Sequence, residues 1–483
     1  MSFELRTILV FLAAFFATLF VLPKIANIAY RIGLVDHPNE RKVHKTPRPL
    51  VGGIGIMISA TFSSLIFIPL SGLRGYFLGV SVLLLVGFFD DFKEIGHRQK
   101  FLAQILATAL LIYFSKVSLE NFGDLFGLGD LDLSGSKLVV WGVTVFCVVG
   151  VINAINMIDG LDGLAGGVSF LAFLSFAVHA SLIGNMPLML LNLALAGATL
   201  AFLKFNWTPA SLFMGDAGSL CLGFSLAFMS LALTQGEGVR VSPVVPLLIL
   251  AVPITDTVSV MLKRIVRGES PFKPDQYHMH HIFLRYGMGR VSVVKVILFI
   301  SALLCSLSLL GPVFQFADYS LFLIYLAYFS VYVLSSVYIV WIFRQGDMFK
   351  EKKDSFLESS QLFGVLARRF HLLHLFRKNP RYTVHLHIEC REKEKGLRFE
   401  GVALNISTGG LMASIDGLDR LYEHMIIKII FPLDSGAHSM ELPVEHLWMH
   451  DNEGKFYHGF RFLAFDGKQQ QLIFKFLVEY KKE

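Results

Sequence analysis

The chain has 483 residues, 54% of them hydrophobic and only 17% charged, with 45 phenylalanines and a formal net charge of +6. So little charge cannot cover the surface of a water-soluble chain of this length. Apolar runs of about 20 residues, enough to cross a bilayer core, recur through the first two-thirds. The composition excludes a soluble enzyme and describes a membrane protein.

Cys147, Cys221, Cys305 and Cys390 are scattered, with no CxxC pair and no metal-ligand spacing. They argue neither for a disulfide framework nor for a zinc site. The first apolar run is too long for a removed signal peptide and lacks a small-residue cleavage site, so it is the first expected span. Taken in chain order, the runs predict about eleven spans, at 6–26, 50–71, 75–90, 100–116, 137–154, 163–184, 186–204, 219–235, 241–262, 291–313 and 318–343. The loops at 27–49, 91–99 and 263–290 fall on one side and are rich in Lys and Arg; the opposite loops hold chiefly Arg74, Lys116, Lys137 and Arg240. By the positive-inside rule the basic side is cytoplasmic, with the N-terminus outside and the C-terminus in the cytoplasm.

Composition changes after residue 343. Residues 344–354 are strongly charged, and 355–376 mix large apolar residues with Arg368, Arg369, His371 and His374. That mixture suits an amphipathic helix on the anionic inner leaflet, and equally a helix packed on the domain that follows. From 377 to 483, the stretches TVHLHIEC, MIIKIIF and YHGFRFLAF alternate as strands and LIFKFLVEY predicts a closing helix. The expected fold is therefore an all-α polytopic membrane domain (1–343), a linker with an amphipathic helix (344–376), and a small cytoplasmic β-barrel (377–483).

Carboxylates collect at the cytoplasmic ends of the spans. Asp90 and Asp91 end the third in GFFDDFKEIG; Asp159 and Asp162 lie in NAINMIDGLDGLAGG; Asp216 lies in FNWTPASLFMGDAGSL. One Asp-Asp pair alone is more often a solvated helix end, and DGLDG alone makes a good turn. All of them on one face, in apolar frames, mark a working site, because ionisable groups at membrane depth are costly. Like charges brought together call for a cation, and oxygen ligands without cysteine favour a hard one, Mg²⁺ or Mn²⁺. Such a metal beside basic loops is equipment for a diphosphate. The basic groups come from DHPNERKVHKTPRPLVGGIG, with His44, Lys45 and Arg48, and from ESPFKPDQYHMHHIFLRYG, with Lys273, His278, His280 and His281. Zinc at HMHH is disfavoured, since His at i, i+2 and i+3 do not face one way on a helix; imidazoles binding pyrophosphate fit better.

These residues together resemble the polyprenyl-phosphate N-acetylhexosamine-1-phosphate transferases of glycosyltransferase family 4, which also include the bacterial phospho-MurNAc-pentapeptide translocase. The matching strings are HKTPRPLVGGIGI, GFFDDF, NAINMIDGLDGL, NWTPASLFMGDAGS, DTVSVMLKR and SPFKPDQYHMHHIFLRYG, in the family's order over about residues 30–290. The resemblance implies that Asp90 and Asp91 lie near the polyprenyl phosphate and the reaction centre. It makes Asp159 and Asp162 the second acidic motif and Asp216 the Mg²⁺ ligand, with Asp162 the second metal contact. It places Asn153 and Asn156 near the nucleoside or diphosphate, and gives Lys45, His278, His280 and His281 the sugar-nucleotide phosphates. The implied reaction is attack of undecaprenyl phosphate on the β-phosphorus of a UDP-N-acetylhexosamine, releasing UMP. Whether an aspartate takes a proton or the enzyme only aligns an ionised phosphate stays open. With no large extramembrane insert to grip a peptide, and with HMHH, the chain resembles the sugar-only branch, which favours UDP-GlcNAc or a related donor. The family often forms dimers, which makes a homodimer an expectation; nucleic acid is not an expected partner.

The tail resembles a PilZ domain, a binder of cyclic di-GMP. Arg377 and Arg381 form its RxxxR string in RKNPR, and Asn405, Ser407 and Gly410 its [D/N]xSxxG string in NISTGG. Arginines can pair with phosphates bidentately and stack on guanine. The fusion implies a transferase regulated by a second messenger. The competing reading from another class is a catalytically silent membrane receptor for cyclic di-GMP, but that would show eroded acidic motifs. A transporter would carry its acids near mid-membrane, at broken helices.

Overall fold

The structure is a computed structural model. It describes residues 3–37, 46–69, 72–93, 95–235, 241–266, 268, 270, 278–285, 288–348, 382–392, 397–407, 410–415, 417–418, 422, 424–433, 436–452 and 455–463. It divides into two compact units, one of residues 1–284 with 288–351, the other of residues 285–287 with 352–483.

The first unit is helical. Its elements are α1 (Phe3–Ile32), the short strands β1 (Val35–Asp36) and β2 (Arg48–Pro49), α2 (Gly52–Phe67), α3 (Arg74–Lys93), α4 (His97–Ser115), α5 (Lys137–Ile158), α6 (Leu164–Leu182) and α7 (Met186–Asn206). There follow α8 (Gly215–Thr234), α9 (Val245–Ile249), α10 (Ala251–Val266), α11 (Met279–Arg285), α12 (Arg290–Ser308), α13 (Leu310–Phe314) and α14 (Asp318–Met348). Every expected span falls on a helix. The run at 241–262 divides into α9 and α10, and 291–313 into α12 and α13, each division lying within a few residues of a proline (Pro246 and Pro253; Pro312), which cannot donate the intrahelical bond. Among the described residues, eight helices are long and apolar enough to cross a membrane: α1, α3, α5, α6, α7, α8, α12 with α13, and the first part of α14. The apolar α2 is shorter, at 16 residues.

Helix α8 is the hub: 83% of its spanning window is buried, against 22% for α1 and for the 318–336 part of α14. Small residues let its neighbours reach backbone contact. A Cβ on Gly53 of α2 would lie 2.0 Å from Gly218 Cα, and one on Gly87 of α3 would lie 2.3 Å from Ala217 Cα. In a bilayer, where lipid is as apolar as leucine, such close approach is a main source of helix association. It also fixes the start of α8 against the ends of α2 and α3, where the acidic motifs lie.

The second unit contains a closed antiparallel barrel of six strands: β3 (Tyr382–Glu392), β4 (Arg398–Ser407), β5 (Gly410–Ile415), β6 (His424–Leu433), β7 (Gly436–Asn452) and β8 (Lys455–Phe462). The order around it is β3-β4-β5-β8-β7-β6, with β6 pairing back to β3, so no edge is left open. Val384, Ile388, Ile406, Leu411, Ile427, Phe431, Leu442 and Phe460 fill it. The strands expected at TVHLHIEC, MIIKIIF and YHGFRFLAF lie on β3, β6 and β8. The expected closing helix, most of the 344–376 linker, Arg377 and Arg381 lie outside the described residues.

Candidate functional site

The C-terminal ends of α3, α5 and α7 and the N-terminal ends of α4, α6 and α8 share one face of the membrane unit, and the acidic motifs meet there. Lys100, one turn into α4, places its Nζ 2.5 Å from Asp90 Oδ2 and 2.5 Å from Asp216 Oδ2. One ammonium is thus shared by two carboxylates from different helices. The other oxygens are used as well: Asp90 Oδ1 accepts from Ile95 N–H (2.9 Å), and Asp216 Oδ1 accepts from Asn156 Nδ2 (3.1 Å). Asn156 also donates to Ser219 Oγ at 2.8 Å.

Asp91 does something different from its neighbour. Its Oδ1 and Oδ2 accept the backbone N–H groups of Asp216 (2.7 Å) and Ala217 (3.1 Å), two otherwise orphan donors in the first turn of α8. A negative side chain there also complements the helix dipole. Gly215 is obligatory beside it, because its φ is +72° and a Cβ would fall 2.5 Å from Asp91 Oδ2.

The DGLDG turn sits alongside. Asp162 Oδ2 accepts from Ala210 N–H at 3.1 Å, which ties the turn to the loop before α8. Asn206 closes the same junction, accepting from Gly163 N–H (2.8 Å) and donating to Leu212 O (3.1 Å). Burial, reinforced by the charges of Asp216 and then Asp162, pushes the Asp159 carboxyl up to about 7. Asn153 donates to Gln104 Oε1 (2.8 Å) and to Val149 O (2.7 Å), one turn deeper than Asn156.

The histidine cluster reaches this turn. His278 precedes α11, and its ring stacks on His280 with centroids 5.9 Å apart and planes 9° apart; His280 lies 4.2 Å from His281. A Cβ on Gly160 would sit 2.4 Å from His280 Nε2, so the ring rests directly on the DGLDG backbone. Burial, then the neighbouring His281, pulls His280 down to about 4 and keeps its imidazole neutral at pH 7. A helical stretch alone would send these side chains apart; they converge because His278 lies outside the helix.

Residues 73–234 match the family described as Glycosyl transferase family 4, and residues 376–479 match the PilZ domain. The undecaprenyl-phosphate alpha-N-acetylglucosaminyl 1-phosphate transferase of Haemophilus influenzae is 34% identical over 331 residues, which cover 67% of this chain and 91% of the relative. The chain belongs to glycosyl transferase family 4. The Escherichia coli transferase of the same description is 33% identical over 321 residues, 63% of this chain and 84% of that protein. Among solved structures, the PilZ domain of CeSA from a cellulose-synthesizing bacterium matches 21% of this chain and 96% of its own at 16% identity, with a TM-score of 0.17. The protein is thus a multi-pass membrane member of family 4 carrying a C-terminal PilZ domain.

In this family 4 unit the structure brings together Asp90, Asp91, Asp216 and Asn156, places Asp159 within their field, and sets His280 on the turn that carries Asp159. Asp162 and Asp91 spend oxygens on backbone N–H groups. Lys45 lies outside the described residues. In the barrel, Asn405 is near the end of β4, and Ser407 and Gly410 pair across the β4–β5 turn. Sequence reasoning missed Lys100 and Gln104. A lysine opening the apolar run at 100–116 was the available signal, since a cation at membrane depth is itself unusual.

Proposed function

We propose that the membrane unit transfers N-acetylglucosamine 1-phosphate, or a closely related N-acetylhexosamine 1-phosphate, from its UDP-sugar to undecaprenyl phosphate. The observation that carries this reading is the Asp90–Lys100–Asp216 bridge, a cation held between two carboxylates at the membrane face. The names and lengths of the relatives support it, because the chain spans nine-tenths of the Haemophilus protein.

The donor set fits Mg²⁺. Asp90 and Asp216 are hard oxygen ligands already gathered around a positive charge, with Lys100 standing where a cation is wanted. Among the described residues no three His, Cys, Asp or Glu form a ready metal cage. That also suits Mg²⁺, which takes one or two carboxylates and completes its shell with water and substrate phosphate. Asp216 would hold it, with Asp90 or Asp162 as second carboxylate, and the ion would neutralise charge developing on the phosphate of the departing UMP.

The chain's own groups do the rest. A phosphate oxygen of the acceptor attacks the β-phosphorus of the donor; the bond from that phosphorus to the bridging oxygen breaks, and UMP leaves with the electron pair. A phosphate monoester with a second pKa of about 6 is already mostly dianionic at neutral pH, so alignment and charge stabilisation are the chief demands. Lys100, Lys45 and the histidine column steady the phosphates, Asp91 holds α8 in place, and Asn153 and Asn156 face the donor. Asp159, whose carboxyl burial pushes up to about 7, is one carboxylate able to take a proton if one must move. The acidic face and the tail are cytoplasmic in the inner membrane, as the basic loops require. Cyclic di-GMP binds the PilZ domain through Arg377, Arg381, Asn405, Ser407 and Gly410 and regulates the transferase, which serves the first step of a cell-surface polysaccharide.

The test is a radiolabel assay on purified protein with undecaprenyl phosphate, Mg²⁺ and a panel of UDP-sugars, with Asp216→Ala as control and with and without cyclic di-GMP. Lipid-linked label with UMP release, lost in the variant, is expected. No turnover with any donor, in protein that still binds cyclic di-GMP, would establish a silent receptor instead. Turnover indifferent to saturating cyclic di-GMP would end the regulatory reading alone.

A further inference from the structure

Asp256 lies in the apolar frame of α10, in DTVSVMLKR, and is only 2% exposed. A buried carboxylate must be paired or fully hydrogen-bonded, and this one is both. Its Oδ2 lies 2.8 Å from His278 Nδ1. Its Oδ1 accepts from Met279 N–H at 2.8 Å and from the Tyr332 hydroxyl of α14 at 2.5 Å. The carboxylate therefore grips both the ring and the backbone at the point where the histidine cluster enters α11.

The consequence for His278 is chemical. A carboxylate can only accept, so Nδ1 must carry the proton, and Nε2 is left as the accepting nitrogen of the ring. The ring's plane is set at the same time, and the stack passes that setting on to His280, which rests on Gly160 beside Asp159. Tyr332 fixes the carboxylate in turn. Its helix is tied to α10 at two further points, by Lys263 Nζ donating to Ser336 Oγ (2.8 Å) and Thr255 Oγ1 donating to Tyr325 Oη (3.3 Å).

We propose that Asp256 and Tyr332 are positioning residues that hold His278 in its Nδ1–H tautomer, with Nε2 directed at the diphosphate of the sugar nucleotide. This rests on the proposed function, in which the histidine cluster meets the donor phosphates. Neither residue touches substrate; both act through His278.

Asp256→Asn tests this with little change of shape. The amide oxygen can still accept from Met279 and Tyr332, but the NH₂ then faces His278 Nδ1 and forces the proton to Nε2, the wrong tautomer. The experiment compares full-length protein with Asp256→Asn, Tyr332→Phe, His278→Gln, and each of the first two combined with His278→Gln. Asp256→Asn should lower kcat/KM for the UDP-sugar about 10–100-fold, the usual loss when a histidine's outer partner is removed. KM for undecaprenyl phosphate should stay unchanged, and Tyr332→Phe should give a smaller loss of the same kind. In the His278→Gln background neither should cost anything more, because effects that run through one residue are not additive. Losses that multiply in the double variants, or that fall equally on both substrates with a lowered unfolding temperature, would overturn the proposal and leave a purely structural tie between α10 and α14. If Asp256→Asn does not fold, the Tyr332→Phe pair decides by the same criterion. Absence of turnover in the unsubstituted protein would refute the transferase reading separately; calorimetric UDP-sugar binding then decides, and unchanged affinity in Asp256→Asn overturns the positioning role.

Discussion

Lys100 of α4 and Asp216 of α8, far apart in the chain, meet at 2.5 Å, and Asp90 shares the same ammonium at 2.5 Å. Two ionised carboxylates held this close repel each other, and the ammonium between them offsets that repulsion. Before substrate arrives, the lysine serves that purpose.

Lys100→Met should therefore leave the two carboxylates facing each other. With these side chains 8–28% exposed, the expected loss is roughly 1–3 kcal/mol of stability in metal-free protein, below the value for a fully buried pair. Mg²⁺ should restore much of it by taking the same place. Unfolding temperatures of the variant with EDTA and with Mg²⁺ check this; a variant as stable as the parent without metal would show that Lys100 does not hold the carboxylates together.

Gly160→Ala should separate His280 from the DGLDG turn, because the new Cβ would fall 2.4 Å from Nε2. Displacing a positioning contact by about 1 Å can cost on the order of 10²-fold in rate, so kcat/KM for the UDP-sugar should fall by about that factor while the unfolding temperature changes little. Full activity would show that the histidine column does not need its seat on the turn.

The barrel should weaken in acid. His446 Nε2 and His458 Nδ1 lie 3.0 Å apart inside it, and burial pulls His446 down to about 4 and His458 below its usual value. The unfolded state, with ordinary histidines near 6.5, then binds more protons than the folded one as pH drops below 6.5, so stability falls with pH until His446 itself protonates near 4. Hydrogen exchange of segments 424–462 in the intact protein, corrected for intrinsic pH dependence, should show faster opening from pH 6.5 to 4. His446→Phe should flatten that slope; an unchanged slope would exclude the pair as its source.

On the proposed reading, Arg377→Ala combined with Arg381→Ala should abolish binding of cyclic di-GMP measured by calorimetry, since a guanidinium can supply bidentate, charge-assisted hydrogen bonds to phosphate. Loss of at least about 10²-fold is expected, each such contact being worth around 1.5–3 kcal/mol. Regulation of turnover should vanish with it, and affinity kept at the parent level would place the nucleotide elsewhere.

Membrane character, a helix at each expected span, the barrel strands and the gathering of acids on one face were all legible in the order of residues alone, although only eight of the described helices are long and apolar enough to cross a membrane. These follow from periodicity and from the cost of burying charge, which every residue registers locally. Even the family was legible, because its motifs are short contiguous strings. Which partner each polar group takes was settled by the folded arrangement. Asp90 and Asp91 are adjacent in the chain, yet one shares Lys100 with Asp216 while the other caps α8, because neighbouring side chains on a helix point about 100° apart. Asp256 and Tyr332 looked like ordinary residues of two apolar runs until α10 and α14 came together around His278. Hydrogen bonds between helices depend on how the helices cross, and no local pattern in either one records that.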